Sequence, residues 1–158
     1  MQAPDIEEMT ASFAPFGKGR PQFERYFREH EDGTRTVLIA SAERTFAGYV
    51  TVLWRSAYPS FAEANVPEIS DLNVLPQLRR RRVGARLMEQ AERLIATRSP
   101  VVGIGVGLHE DYGAAQRLYV QRGYVPDGRG ITSRGKRVAY GDSVPADDHL
   151  VLWFTKGL

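Results

Sequence analysis

The chain has 158 residues, 42% of them hydrophobic, enough to bury one proper core with little room for a second, so a single domain over 1–158 is expected. It has no cysteine, which excludes disulfides, thiolate metal sites and a cysteine nucleophile and makes a cytoplasmic location the default expectation. The formal charge is +2, from 21 basic and 19 acidic residues, and only three of the basic residues are lysine.

The pI is near 9.0, but the total matters less than the run Arg79-Arg80-Arg81-Arg82, which by itself reads as a solvated face or a polyanion patch. The first twenty residues carry acids early and lack a basic segment followed by an apolar run, so no secretion signal is expected. No stretch approaches the ~20 apolar residues that cross a bilayer, so no membrane partner is expected either.

In chain order, Ile6, Met9 and Phe13 recur at helical spacing after Pro4-Asp5, and Phe23, Tyr26, Phe27 and His30 do so after Pro21. Two short helices are predicted, separated by Gly17 and Gly19. Residues 36–40 and 46–54 are rich in β-branched and aromatic side chains around Ser41-Ala42-Glu43-Arg44, the pattern of an antiparallel hairpin. A loop with Tyr58, Pro59, Phe61 and Pro67 follows, then a strand over 68–74 that Pro76 stops.

Val83, Leu87, Ala91, Leu94 and Ile95 form the apolar stripe of a helix over 82–98, with Arg86, Glu89, Glu92 and Arg93 outside it. The run VVGIGVGL from Val101 suits a buried strand, and residues 112–122 form an amphipathic helix closed by Gly123. Pro126, Gly128, Gly130, Gly135 and Gly141 punctuate a loop-rich stretch before HLVLWFT, a last strand. The order predicts an α/β sheet with helices on its faces, which by itself establishes no function.

Chemistry concentrates where the third strand passes into the third helix, DLNVLPQLRRRRVGARLMEQAE, Asp71 to Glu92. The first turn of a helix has unpartnered N–H groups and the positive end of the peptide dipoles, so it can hold a pyrophosphate by main chain while nearby arginines add charge. The four arginines then read as the rim of a phosphate cradle.

These residues resemble the Gcn5-related (GNAT) acyltransferases, whose strand–loop–helix unit has the form Val-x-Pro-x-x-Arg-x-x-Gly-x-Gly, standing here as Val74, Pro76, Arg79, Arg82 and Gly84. The resemblance continues through Ala115, Leu118, Tyr119, Gly123 and Tyr124, and spans about residues 46–124. It implies a mixed, mostly antiparallel sheet with helices on both faces and a splayed central strand pair. It also implies transfer of an acetyl group from acetyl-CoA directly to a primary amine, on a small molecule or a peptide. Val74, Arg79, Arg80, Arg81, Arg82, Val83, Gly84 and Ala85 would bind the cofactor. A catalytically silent acyl-CoA-binding or sensing module is the alternative, and a homodimer is compatible with the family.

Three departures stand out. Arg82 replaces the glycine the family prefers, so an ordinary negative φ is expected there. Tyr112 replaces an asparagine common after the buried strand, and the chain starts almost at its first helix, without the strand that usually precedes it. Gly103, Gly105 and Gly107 lie in a strand-like run, not in a turn opening a helix, which argues against a dinucleotide fingerprint. By resemblance this strand admits the pantetheine arm, its glycines allowing close backbone approach.

Transfer needs a neutral amine, a proton acceptor and an acid for the departing thiolate. By resemblance, Tyr119 in its Leu-Tyr pair is the acid, against a plain core tyrosine. Glu68, six residues before Val74, is the base, with Asp71 or water as rivals; strand alternation puts Asp71 on the face opposite Glu68.

Trp54, Tyr58 and Phe61 offer aromatic surface to an acceptor, although Trp54 suits the core. Tyr140, Asp142, Asp147 and Asp148 could attract a cationic amine or form solvated turns. His30, His109 and His149 have no metal-ligand spacing, so no metal is expected. A nucleic-acid partner is not expected, since aromatics do not interleave the arginines and the basic face does not extend beyond them.

Overall fold

Helix α1 (Ala3–Phe13) in the computed structural model starts with Pro4 in its first turn, where a missing N–H costs nothing, and with Asp5 accepting the Gln2 N–H. The structure describes residues 1–42 and 45–158, so Glu43 and Arg44 of the expected hairpin connection lie outside the described residues. α1 buries Ile6, Met9 and Phe13, the stripe its spacing predicts, and ends through a short 3-10 turn at Gly17, whose φ of 75° suits glycine. Helix α2 (Arg20–Glu31), again with proline in its first turn, buries Phe23 and Tyr26.

Strands β1 (Arg35–Ala42) and β2 (Thr45–Leu53) form the antiparallel hairpin, with a register shift between Ala40 and Ser41. The short helix α3 (Pro59–Glu63) occupies what reads in the sequence as loop; five residues are too few for a periodicity signal. Strand β3 (Glu68–Val74) has the expected bounds, and helix α4 (Val83–Ala96) is slightly shorter than expected. Strand β4 (Val101–Gly107) and helix α5 (Gly113–Gln121) follow.

The stretch expected to be loop-rich contains strands β5 (Val125–Ser133) and β6 (Lys136–Arg137) before β7 (Leu150–Gly157). Glycine and proline concealed β5 because its pairing with β7 breaks between Pro126 and Ile131, where Gly128 and Gly130 take positive φ. Arg134 and Gly135, with φ of 50° and 75°, make the two-residue turn between β5 and β6.

By compactness the chain divides into two units, Met1–Trp54 with Ile69–Leu94, and Arg55–Glu68 with Ile95–Leu158. The fold is mixed α/β. In the first unit the strand order is β1-β2-β3; in the second it is β4-β7-β5-β6, with each of its neighbouring pairs antiparallel.

The core of the first unit gathers Ile6, Met9, Phe13, Phe23, Tyr26, Val37, Phe46, Tyr49 and Leu75. Phe13 sits edge-on to Phe46 and Tyr49, at 5.8 and 5.3 Å between ring centroids. β2 and β3 approach closely at Gly48, where a Cβ would lie 2.3 Å from the Asn73 carbonyl oxygen. On α4 the buried residues are Leu87, Met88, Ala91, Glu92 and Ile95. This stripe is rotated from the expected one, so Glu92 is buried and Leu94 is half-buried. Trp54 is half-buried and donates its indole N–H to Thr36 Oγ1 at 3.0 Å.

In the second unit, Tyr58 stacks on Trp153 with parallel rings 4.2 Å apart, and Phe61 meets both edge-on. Tyr58 and Phe61 are therefore interior residues, not the open acceptor surface expected of them. The three glycines of β4 serve the same packing. A Cβ at Gly103 would fall 2.2 Å from the Phe61 ring, one at Gly105 2.9 Å from Trp153, and one at Gly107 2.4 Å from Tyr112. Their close approach, expected for a ligand arm, is to aromatic side chains of the protein.

Candidate active site

β3 runs out at Val74, and Leu75 donates its N–H to the Ala47 carbonyl at 3.0 Å. A 3-10 turn at Pro76–Leu78 follows, with Arg79 reaching back to donate to the Val74 carbonyl from Nε at 3.2 Å. The four arginines then form a turn of exposed residues before α4 begins, and the Arg82 carbonyl accepts the Arg86 N–H at 3.0 Å, one of the opening bonds of the helix.

Arg80 and Arg82 both take left-handed backbone, with φ of 60° and 62°. The negative φ expected of Arg82 is overturned: the turn requires the conformation that favours glycine, and an arginine adopts it at a cost of about 1–2 kcal/mol. Two left-handed residues on either side of Arg81 are the kind of backbone from which anion nests are built. Combined with the first turn of α4 and a rim of guanidinium groups, it suits a pyrophosphate in charge and in hydrogen-bond chemistry. Val83, Gly84 and Ala85, half-buried, form that first turn.

A second cluster of polar groups in the same unit surrounds Asp71. In the middle of β3 this residue has φ 51°, which interrupts the alternation of the strand, so its facing does not follow from simple counting. Its Oδ2 accepts from the Tyr49 hydroxyl at 2.6 Å, the Tyr26 hydroxyl at 2.9 Å and Gln22 Nε2 at 3.0 Å. Its Oδ1 accepts from Lys18 Nζ and Asn73 Nδ2, both at 2.7 Å.

Burial alone would raise the pKa of Asp71. The Lys18 charge, with hydrogen bonds from Lys18, Tyr49 and Tyr26, outweighs it and holds the carboxyl below its ordinary value. The converse acts on the phenols. Burial first, then the Asp71 charge, pushes Tyr26 up to about 12 and Tyr49 higher still. Arg35 lies over the Tyr26 ring, its guanidinium 4.2 Å from the ring centre and bonded to Thr51 Oγ1 at 2.7 Å.

Glu68, at the head of β3, and Tyr119, on α5, belong to the second unit. Glu68 is buried and accepts a hydrogen bond from Ser56, whose oxygen in turn receives the Tyr58 N–H at 3.0 Å. Tyr119 is buried too, its ring tilted against Tyr124 at 6.0 Å between centroids, and its carbonyl accepts the Tyr124 N–H at 3.1 Å as the chain turns at Gly123. The acids of the late loop serve turns and ion pairs: Asp142 accepts from the Ala139 N–H, Asp147 pairs with Arg134, and Asp148 bonds His109 and Tyr112. Tyr140 is fully exposed.

A family model described as Acetyltransferase (GNAT) family matches residues 3–124. The chain belongs to the GNAT acetyltransferase family. The GNAT fold is also that of solved structures at low identity. A ribosomal-protein-alanine N-acetyltransferase from Brucella melitensis is 15% identical, with 100% of this chain and 97% of that one covered and a TM-score of 0.73. An aminoglycoside 6'-N-acetyltransferase complexed with coenzyme A is 15% identical over 99% and 92%, with a TM-score of 0.68. A PaiA N-acetyltransferase from Thermoplasma acidophilum in complex with coenzyme A is 12% identical over 100% and 96%, with a TM-score of 0.67. A search of curated proteins returned no match. No helix among the described residues is long and apolar enough to cross a membrane.

The sequence reading named Asp71 but missed Gln22, Tyr26, Tyr49 and Asn73 as its partners, because they come together from α2, β2 and β3. Lys18 carried a usable signal. It is one of three lysines in an arginine-rich chain and stands between Gly17 and Gly19.

Proposed function

We propose that the whole chain works as one N-acyltransferase domain that moves an acetyl group from acetyl-CoA to a primary amine by direct transfer. The observation that carries this reading is the left-handed turn at Arg80 and Arg82 running into α4, in a chain of the GNAT family. Main-chain N–H groups of residues 80–85 and the guanidinium groups of Arg79 to Arg82 hold the pyrophosphate, and Val74 offers backbone groups to the pantetheine amides. When bound, acetyl-CoA supplies the activated acyl carbon and a thiolate leaving group.

The residues of this chain supply proton management. Tyr119 donates a proton to the departing thiolate. Glu68 accepts the proton of the attacking amine, its carboxylate oriented by Ser56. The depressed pKa of Asp71 makes it a weak proton acceptor and a durable anion, which favours Glu68 or water as the base.

Thermal unfolding with and without acetyl-CoA tests the binding half, since a ligand that binds only the folded state raises the midpoint. At about a hundred times the dissociation constant the gain is about 2.7 kcal/mol, or roughly 5–10 °C for a chain of this size. Gly84→Trp should abolish the shift. Release of free thiol with an amine panel tests the chemistry, and Tyr119→Phe should lower it at least ~10-fold. A shift without thiol release from any amine would instead favour a silent acyl-CoA sensor; no shift at saturation would reject the acyltransferase reading.

A further inference from the structure

We propose that the Asp71 carboxylate is an anchoring site for a primary ammonium group of the acceptor other than the amine that is acylated, and that Lys18 occupies it as an intramolecular stand-in that the acceptor displaces. The identity of the ligand as acceptor rests on the acyltransferase reading; the ammonium site rests on the geometry below.

Among the described residues, four of the five side-chain donors to Asp71 are neutral: Tyr26, Tyr49, Gln22 and Asn73. They stand on α2, β2 and β3 rather than on the linker that carries Lys18, and Tyr26 and Tyr49 are part of the core of this unit. The charged donor among the five is Lys18. Oδ2 already accepts three bonds, whereas Oδ1 accepts from Asn73 and Lys18, so loss of Lys18 opens one position on Oδ1 and leaves a half-buried anion without its ion-pair partner. Arg35 is engaged elsewhere, bonded to Glu29 and Thr51 and lying 4.2 Å from the centre of the Tyr26 ring.

Lys18 is also the member most able to leave. It sits in the linker between α1 and α2, beside Gly17 in left-handed backbone and Gly19, the N-cap of α2. The pair is not sealed off: the Lys18 and Asp71 side chains are 23% and 17% exposed, so a ligand approaching from solvent can reach the position. The chemical choice matters as well. Where 18 of 21 basic residues are arginine, the one facing this carboxylate carries a primary ammonium, the compact three-donor group that an acceptor with a second amine would present.

The test is chemical rescue, read by thermal unfolding without acetyl-CoA. Lys18→Ala should lower the midpoint by about 3–8 °C, and ethylammonium at fixed ionic strength should restore at least half of that loss. Tetramethylammonium, which has no N–H, should not rescue, and ethylammonium should do nothing for the Lys18→Ala/Asp71→Asn double variant. Lys18→Met, which keeps the length of the side chain, gives the same readout should the alanine variant fold poorly.

Rescue no better than tetramethylammonium, or equal rescue in the double variant, would overturn the proposal and leave Lys18 a structural tether. The acetyl-CoA shift of the wild-type protein separates this from the parent reading. A shift without rescue removes only the Lys18 proposal; rescue without a shift keeps the ammonium site and removes the acyltransferase.

Discussion

The surroundings of Asp71 and the glycine face of β4 solve opposite problems. Around Asp71 a charged carboxylate is kept off the surface, in left-handed backbone, with five side-chain donors drawn from four segments of chain. Along β4 no charge is held; three alternate residues lack side chains so that Phe61, Trp153 and Tyr112 can lie against the strand. The glycines can be taken for a motif in the sequence, whereas the Asp71 cluster gathers its polar groups from separate elements. Buried polarity and backbone strain together are the better guide to function than glycine spacing.

The largest effect that would sharpen this contrast is expected on the packing side. Gly103→Val should destabilise the protein by about 3 kcal/mol or more, because its side chain would meet the Phe61 ring and a filled core resists insertion. Urea unfolding measures it, and Phe61→Ala in the same chain should recover part of the loss. A neutral Gly103→Val would mean that β4 has room, and the ligand-approach reading of its glycines would return.

A pH titration probes the polar side. The Tyr26 phenol has its pKa raised to about 12 from 10.0, so it adds stability that is complete below pH 10 and is lost as pH climbs toward 12. The Asp71 carboxyl is shifted the other way, so its contribution holds above 3.8 and fades as pH falls below that value. Tyr26→Phe should therefore weaken the alkaline limb of stability against pH, with Tyr49 keeping part of it, and leave the β4 face untouched. An unchanged alkaline limb would show that burial and the Asp71 charge do not hold the Tyr26 phenol protonated.

The smallest effect concerns strain in the arginine turn. Arg82→Gly should stabilise by roughly 0.5–1 kcal/mol, since relief of left-handed strain exceeds the extra unfolded-state entropy of glycine. A loss of stability in the same unfolding experiment would mean that the Arg82 side chain contributes more than its backbone costs.

Much of the fold was legible in the sequence. Local signals suffice where they repeat: Ile6, Met9 and Phe13 define α1, β-branched runs define β1 and β2, and Pro76 ends β3. β5 was not legible, because its bulge needs the glycines that signal a loop, and α3 was too short to show a period. The Val-x-Pro-x-x-Arg pattern located the strand–turn–helix junction and, with Leu118-Tyr119, the family, because those residues lie close together along the chain.

The sequence alone therefore determined the family, most of the element order and the place of the arginine turn between β3 and α4. Only the tertiary structure decided that Arg80 and Arg82 are left-handed, that the β4 glycines accommodate aromatic rings, and that Asp71 collects Lys18, Gln22, Tyr26, Tyr49 and Asn73. The reason is physical. Periodicity and turn chemistry act over a few neighbouring residues, whereas the partners of a buried charge are set by which elements pack together, as with Lys18 and Asp71, 53 positions apart.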